Sequence, residues 1–427
     1  MSNFKFDLQR FSVKTFTNQG QLVNLVTLDD IYEVSGGKEV YGFKIRKAES
    51  DPTTRVEYTD NAVGKEPLRV DLSTGVCNYG DWKDSFIIAS FKPCALSYDG
   101  KVDYYLDPNN HIYKEDGSYS DIYDKDATTI FNYNGNFMVQ VRKMWFCCYE
   151  DDEYQYCKVA SYKVNDNYYC YAHINDAGEE VPYIYLPMFE GSTDSSSRLR
   201  SVPYATPTYS QTGATEIIRA KNNGDRWYTD DFINSKMIEN LTILLTKSCH
   251  SQATIGTGFT CGSWNNKWEG QTPGTMMDKG MFYGTSNNTV STMTGVKLFY
   301  LENYYGSRWD RIAGCINNKG TWYIKPTRPY FNDSLVGYVN THLSVPSASG
   351  SYQSAHTMTK YGLLPKTCSG SETTYIPDGM WSNNSQVDYG LRGGRWYIGS
   401  RCGVSCLDVD IVFSLSYASY GASPCYK

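Results

Sequence analysis

Apolar positions along the chain come in short runs cut by turn clusters, a spacing that predicts strands more often than helices. Between residues 20 and 125, runs such as Val40-Tyr41-Gly42-Phe43-Lys44-Ile45 and Ser85-Phe86-Ile87-Ile88-Ala89-Ser90-Phe91 alternate with turns such as Asp99-Gly100 and Asp107-Pro108-Asn109-Asn110. A small all-β unit over residues 21–127 follows from this pattern. The apolar stretch from Phe137 through Met144, Trp145 and Phe146 predicts a buried strand that opens a second core, which places the main boundary near Thr128. Ahead of both, Phe4, Phe6, Leu8 and Phe11 mark a short amphipathic segment without a capping signal, expected to be a docking arm over residues 1–20.

Helical spacing occurs in two places. Residues 209–222 carry Ala214, Ile217, Ile218 and Ala220; residues 230–247 carry Phe232, Met237, Ile238, Leu241, Leu244 and Leu245, with Asp230 or Asp231 as N-cap. Beyond Cys249 the chain is rich in Gly, Ser, Thr, Asn and Trp and only weakly periodic, with apolar islands at 296–300, 322–324 and 335–339. The expected architecture is α+β: a β-rich N-terminal unit, then a loop-rich domain over 128–427 with about two helices.

Charge and composition narrow the function. A net charge of -6 provides no basic field, so neither nucleic acid nor an anionic membrane is an expected partner. No run of about 18 apolar residues predicts membrane insertion, and the first residues lack the layout of a secretory signal. The expectation is a chain made in the bacterial cytoplasm, with its 13 scattered cysteines held as thiols. The 38 tyrosines suit a recognition surface, because a tyrosine supplies large contact area at small entropic cost. The five histidines show no metal-ligand spacing, so no cofactor or metal is expected, apart from a conceivable structural calcium in loops such as Asp107 to Asn110.

Two later segments carry a resemblance. Residues 296–310 contain Glu302-Asn303, Gly306 and Trp309. Residues 389–399 contain Gly393-Gly394-Arg395-Trp396 and Gly399, and are followed by Gly403 and the closing Gly421-Ala422-Ser423-Pro424. This E-N-x-x-G-x-x-W and R-G-G-x-W pair, with Pro377-Asp378-Gly379-Met380-Trp381 upstream, resembles the C-type-lectin-like variable proteins of phages and prophages. The opening segment around Phe4 to Phe11 is similar to the start of phage structural proteins. The resemblance covers roughly residues 128–427. It implies a lectin-like domain, a scaffold of Glu302, Asn303, Gly306, Trp309, Gly393, Gly394, Trp396, Gly399, Gly403 and Gly421, and a C-terminal segment (393–426) diversified by a retroelement.

Such diversification acts at template adenines and turns Asn codons into a set lacking Lys, Glu, Gln, Met and Trp. Between Tyr397 and Tyr426 the chain has none of those five residues and no Asn. The expected variable, ligand-binding positions are Arg395, Tyr397, Ile398, Ser400, Arg401, Cys402, Asp408, Asp410, Ile411, Tyr417, Ser419 and Tyr420, with Tyr397, Arg401, Tyr417 and Tyr420 as anchors. Leu407, Val409, Ile411 and Phe413 also alternate as an ordinary strand would, and Leu407 and Phe413 are expected to face inward.

The implied protein is a non-enzymatic tail or receptor-binding component of the virion. Its expected partners are a host cell-surface protein or glycan, other virion subunits, and further copies of itself, a trimer being favoured. The R-G-G-x-W motif also occurs in formylglycine-generating, sulfatase-modifying enzymes, with Cys402 and Cys406 as the reactive pair to consider; their closing G-F-R is replaced here by Gly421-Ala422-Ser423-Pro424. A purely structural virion protein and a glycosidase using two of Glu302, Asp310, Asp378 and Asp388 are the remaining alternatives. The E-P-N and Q-P-D tripeptides of calcium-dependent lectins are absent.

Overall fold

The computed structural model describes strand backbone at 13–16 and 22–26, and residues 38–122, 133–263, 270–286, 295–328 and 335–427. Three sheets organise the chain. A four-stranded sheet runs Trp145–Glu150, Tyr154–Ala160, Val40–Arg46, Val56–Asp60. A six-stranded sheet runs Trp227–Thr229, Pro424–Tyr426, Tyr183–Pro187, Gly135–Arg142, Phe91–Ser97, Val102–Tyr105. The largest runs Val339–Ser344, Thr321–Ile324, Trp309–Asn318, Val387–Arg392, Leu407–Ile411, Ile376–Ser382, Ser349–Gln353, with Tyr420–Gly421 added in parallel beside Trp309.

The strands follow their side-chain patterns. In Val40–Arg46, Tyr41, Phe43 and Ile45 alternate inward and are buried. Gly135–Arg142 is buried along nearly its whole length, and its two buried amides are paired, Asn136 with Asn223 and Gln140 with the Tyr185 hydroxyl.

The helix Phe232–Thr246 crosses the centre and is buried at every position. Asp231 caps it by accepting the Asn234 N–H at 2.8 Å, and it ends at Lys247 in the left-handed region with φ 50°. Its two charges are tolerable inside because Lys236 Nζ and Glu239 Oε2 pair at 2.5 Å. The other expected helix forms over Gly213–Lys221, capped by Thr212.

Three expectations need correction. The chain is mostly β, with 37% of residues in strands and 11% in helix, so the α+β, two-helix description does not hold. The described residues form four helices, the additional ones being Phe86–Ala89 and Ser251–Thr254. The region after Cys249 that looked loop-rich builds the whole of the largest sheet. Its strands carry irregular registers between Ile312 and Ile316, Tyr389 and Leu391, and Ser349 and Ser351, and such bulges break the period-two alternation that marks a strand in sequence. The run from Ser85 to Phe91 is no strand either. Ser85 Oγ accepts the Ile88 N–H and starts a helical turn, and the strand begins only at Phe91.

Thr128 lies outside the described residues, as does the expected arm over 1–20 apart from the strand at 13–16, but strands on either side of the expected boundary pair directly. Phe91–Ser97 bonds to Gly135–Arg142 along seven consecutive positions, and Val40–Arg46 bonds to Tyr154–Ala160. The segments 38–122 and 133–427 therefore share sheets. Among the described residues no helix is long and apolar enough to cross a membrane.

Candidate functional site

The two motif segments, some 80 residues apart in sequence, lie against each other. Strands Trp309–Asn318 and Val387–Arg392 are antiparallel neighbours with Asp310 opposite Arg392. The Gly306 N–H donates to the Gly393 carbonyl at 3.1 Å, and the Trp396 N–H donates to the Ser307 carbonyl at 3.2 Å. Gly393 and Gly394 both have φ near +87°, where side chains are strained, and a Cβ on Gly394 would stand 2.5 Å from Cys402 Sγ. This turn brings Trp396 inward: it is wholly buried and donates Nε1–H to the Ser263 carbonyl at 3.2 Å.

The remaining scaffold residues have equally definite partners. Glu302 accepts the Gly274 and Met276 N–H groups at 2.7 and 3.2 Å, Asn303 Nδ2 donates to Glu190 at 3.0 Å, and Trp309 packs edge-on against Trp381 at 5.4 Å. Gly399 donates its N–H to Thr260, Gly403 lies against the Asp378 carboxylate, and Gly421 lies against Arg308.

Beneath this junction is a buried ion network that sequence reasoning missed. Arg308 donates to Asp310 at 2.7 Å and to the carbonyls of Gly191, Thr208 and Ala422, so it ties the first motif to the closing Gly421-Ala422-Ser423-Pro424. Arg392 donates to Asp310 at 3.1 Å and Asp230 at 3.3 Å and stacks 4.0 Å over the Tyr304 ring. Arg311 and Glu216 form a further buried pair at 2.7 Å. Burial pushes the Glu190 carboxyl up to about 8, only partly opposed by Arg308. Arginine was visible in both motifs, but no local spacing shows that distant Asp230 and Glu216 supply counter-charges.

Above this frame the expected variable residues divide. Arg401 and Tyr417 are exposed, and Arg395, Tyr397, Ile398, Ser400 and Asp410 are half-buried. Cys402, Asp408, Ile411, Ser419 and Tyr420 are buried and offer a ligand no surface in this conformation. Ile411 and Tyr420 instead pack with Trp309, Leu391 and Cys406. Of the two strand residues expected to face inward, Leu407 is buried and Phe413 only half-buried.

The accessible residues form two neighbourhoods. In one, the Arg395 guanidinium lies 4.3 Å over the Tyr397 ring and donates to Ser419 Oγ at 3.2 Å, while Tyr417 stands edge-on to Tyr420 at 5.3 Å. In the other, Ser400 Oγ bonds the Tyr352 hydroxyl at 2.6 Å and Glu372 at 3.1 Å, and Arg401 Nε donates to the Gly350 carbonyl at 2.6 Å. Residues outside the segment therefore border the surface. Tyr209 joins them, since it is exposed and its neighbour Ser210 donates its N–H to the Tyr417 carbonyl at 3.0 Å. Only the fold brings Tyr209, Tyr352 and Glu372 to this edge.

Electrostatics give the first neighbourhood an internal acid pair. Asp408 is pushed well above the usual carboxylate range by burial first and then by the Asp410 carboxylate, an effect opposed by the Asp410 N–H, which donates to Asp408 Oδ1 at 2.9 Å. Burial likewise raises Asp388 to about 6. Cys402 and Cys406 are both buried, and burial pushes both thiols far above their ordinary range, which leaves them poor nucleophiles near neutral pH. Among the described residues no group of three or more His, Cys, Asp or Glu side chains is placed to hold a metal. In the Asp107 loop, Oδ1 accepts the N–H groups of Asn109 and Asn110. No family model matches the chain, and no curated protein matches it.

Proposed function

We propose that the chain is a phage or prophage structural protein that attaches to a host surface, with its C-terminal segment as a diversifiable recognition face. The observation that carries this reading is the separation of frame from face. The backbone at 393–399 is held by Gly306, Ser307 and Thr260, all outside the segment, while Arg395, Tyr397, Ser400, Arg401, Asp410 and Tyr417 keep accessible side chains. Side chains can change on such a face without disturbing what fixes the main chain. The absence of Asn, Lys, Glu, Gln, Met and Trp between Tyr397 and Tyr426 supports the same reading.

The partner is a cell-surface protein or glycan, contacted by tyrosine and arginine anchors. Arms at 1–20, sister copies and neighbouring virion subunits provide attachment to the particle. No catalytic step is assigned, and the burial of Cys402 and Cys406 speaks against their use as a reactive pair.

Binding of the purified protein to bacterial cells, measured for the parent and for Arg401→Ala with Tyr417→Ala, tests the assignment. The double variant should bind at least tenfold more weakly with its melting temperature unchanged. Equal binding by a folded double variant would remove the recognition face from this surface.

A further inference from the structure

Cys148 and Cys157 sit directly opposite each other on the antiparallel strands Trp145–Glu150 and Tyr154–Ala160, with their Sγ atoms 3.2 Å apart. The hairpin that joins these strands fixes what kind of pair they make. The Asp151 N–H donates to the Tyr154 carbonyl, so that pair is hydrogen-bonded. Hydrogen-bonded and non-hydrogen-bonded pairs alternate along an antiparallel ladder, which puts Tyr149 opposite Tyr156 and Cys147 opposite Lys158 in bonded pairs and leaves Cys148 and Cys157 in a non-bonded one. The Phe146 N–H agrees: it points away from the hairpin and donates to Tyr169 at 2.8 Å. Non-bonded pairs bring Cα atoms to about 4.5 Å, inside the roughly 4.4–6.8 Å span that a disulfide bridges.

The two thiols also differ in access. Cys148 is partly exposed and lines a pocket with Phe146, Tyr169, Tyr171 and Lys360, whereas Cys157 is 2% exposed. Cys147, on the opposite face, packs with Trp145, Tyr168 and Cys170. We propose that Cys148 and Cys157 form a cross-strand disulfide when the folded chain meets a small disulfide oxidant such as oxidised glutathione. Cys148, as thiolate, attacks one sulfur of the oxidant, whose S–S bond breaks and releases one glutathione thiolate, which takes up a proton. Cys157 then gives up its proton and attacks Cys148 Sγ, expelling the second glutathione as thiol. One disulfide is made and one reduced, with no other co-reactant. The bond closes the hairpin at the sheet edge, where Trp145–Glu150 is the outermost strand, and the inference does not rest on what the protein binds.

The test treats the folded full-length protein with oxidised glutathione, quenches, alkylates in denaturant and maps peptides by mass spectrometry. The expected result is one cross-linked species joining Cys148 to Cys157, with the other eleven of the 13 cysteines alkylated. Cys147→Ser should leave that bond unchanged, and Cys157→Ser should leave glutathione attached at Cys148. The proposal is overturned if Cys148 and Cys157 are alkylated to the same extent with and without oxidant, or if the bond formed uses Cys147. The parent and the Cys147→Ser variant decide the matter even if Cys157→Ser fails to fold.

Discussion

Asp310 and Arg392 stand opposite each other in adjacent strands, and the guanidinium donates to the carboxylate at 3.1 Å in the interior of the protein. One residue closes the first motif and the other opens the second, so the contact explains why two distant stretches of sequence matter together. Asp310 also accepts from Arg308 at 2.7 Å, which makes it the shared counter-charge of two buried arginines.

Asp310→Ala should therefore be costly, because it leaves Arg308 and Arg392 buried with part of their compensation gone. Losing one partner of a buried pair typically costs about 3–5 kcal/mol. Denaturant unfolding measures it, and a change under about 1 kcal/mol would show that the network is not a source of stability.

Trp396→Ala should destabilise by roughly 3–5 kcal/mol, since a wholly buried ring and its Nε1–H bond to Ser263 are both lost. The same variant measured for cell binding should fail only in proportion to the unfolded fraction. A stable Trp396→Ala protein with abolished binding would move Trp396 from frame to face.

Glu190 gives the fold a pH dependence of definite sign. Its carboxyl titrates near 8 when folded and near about 4.3 when unfolded, so between those values the unfolded chain releases a proton that the folded chain keeps. The contribution is fully present at acid pH and is lost as pH rises toward 8. Glu190→Gln keeps an acceptor for Asn303 and Ser307 and should flatten that decline, read as stability at several pH values between 5 and 8.5. Parallel curves for parent and variant would contradict the assignment.

Part of this architecture was legible in sequence. The helices over Gly213–Lys221 and Phe232–Thr246 were visible through periodicity, the second also through its capping Asp231, and Gly393-Gly394 with Trp396 through the strain that only glycine relieves. The β character of the C-terminal half was not, because bulges disrupt alternation and because Trp309–Asn318 is buried almost throughout. Burial of some expected variable residues was not legible for a related reason. Asp408, Ser419 and Tyr420 are ordinary surface residues by type, and their burial depends on Arg395, Trp309 and Leu391 arriving from elsewhere in the chain.

If accessible side chains vary on a frame that does not, the DNA beside the gene should carry the template, and sequencing that DNA decides. A near-copy of the codons for residues 393–426 is expected next to a reverse transcriptase. Mismatches should fall only at template adenines and should concentrate in the codons of Arg395, Tyr397, Ser400, Arg401, Asp410 and Tyr417, sparing Gly393, Gly394 and Trp396. No such copy, or mismatches spread over all bases and over the three frame codons, would contradict it.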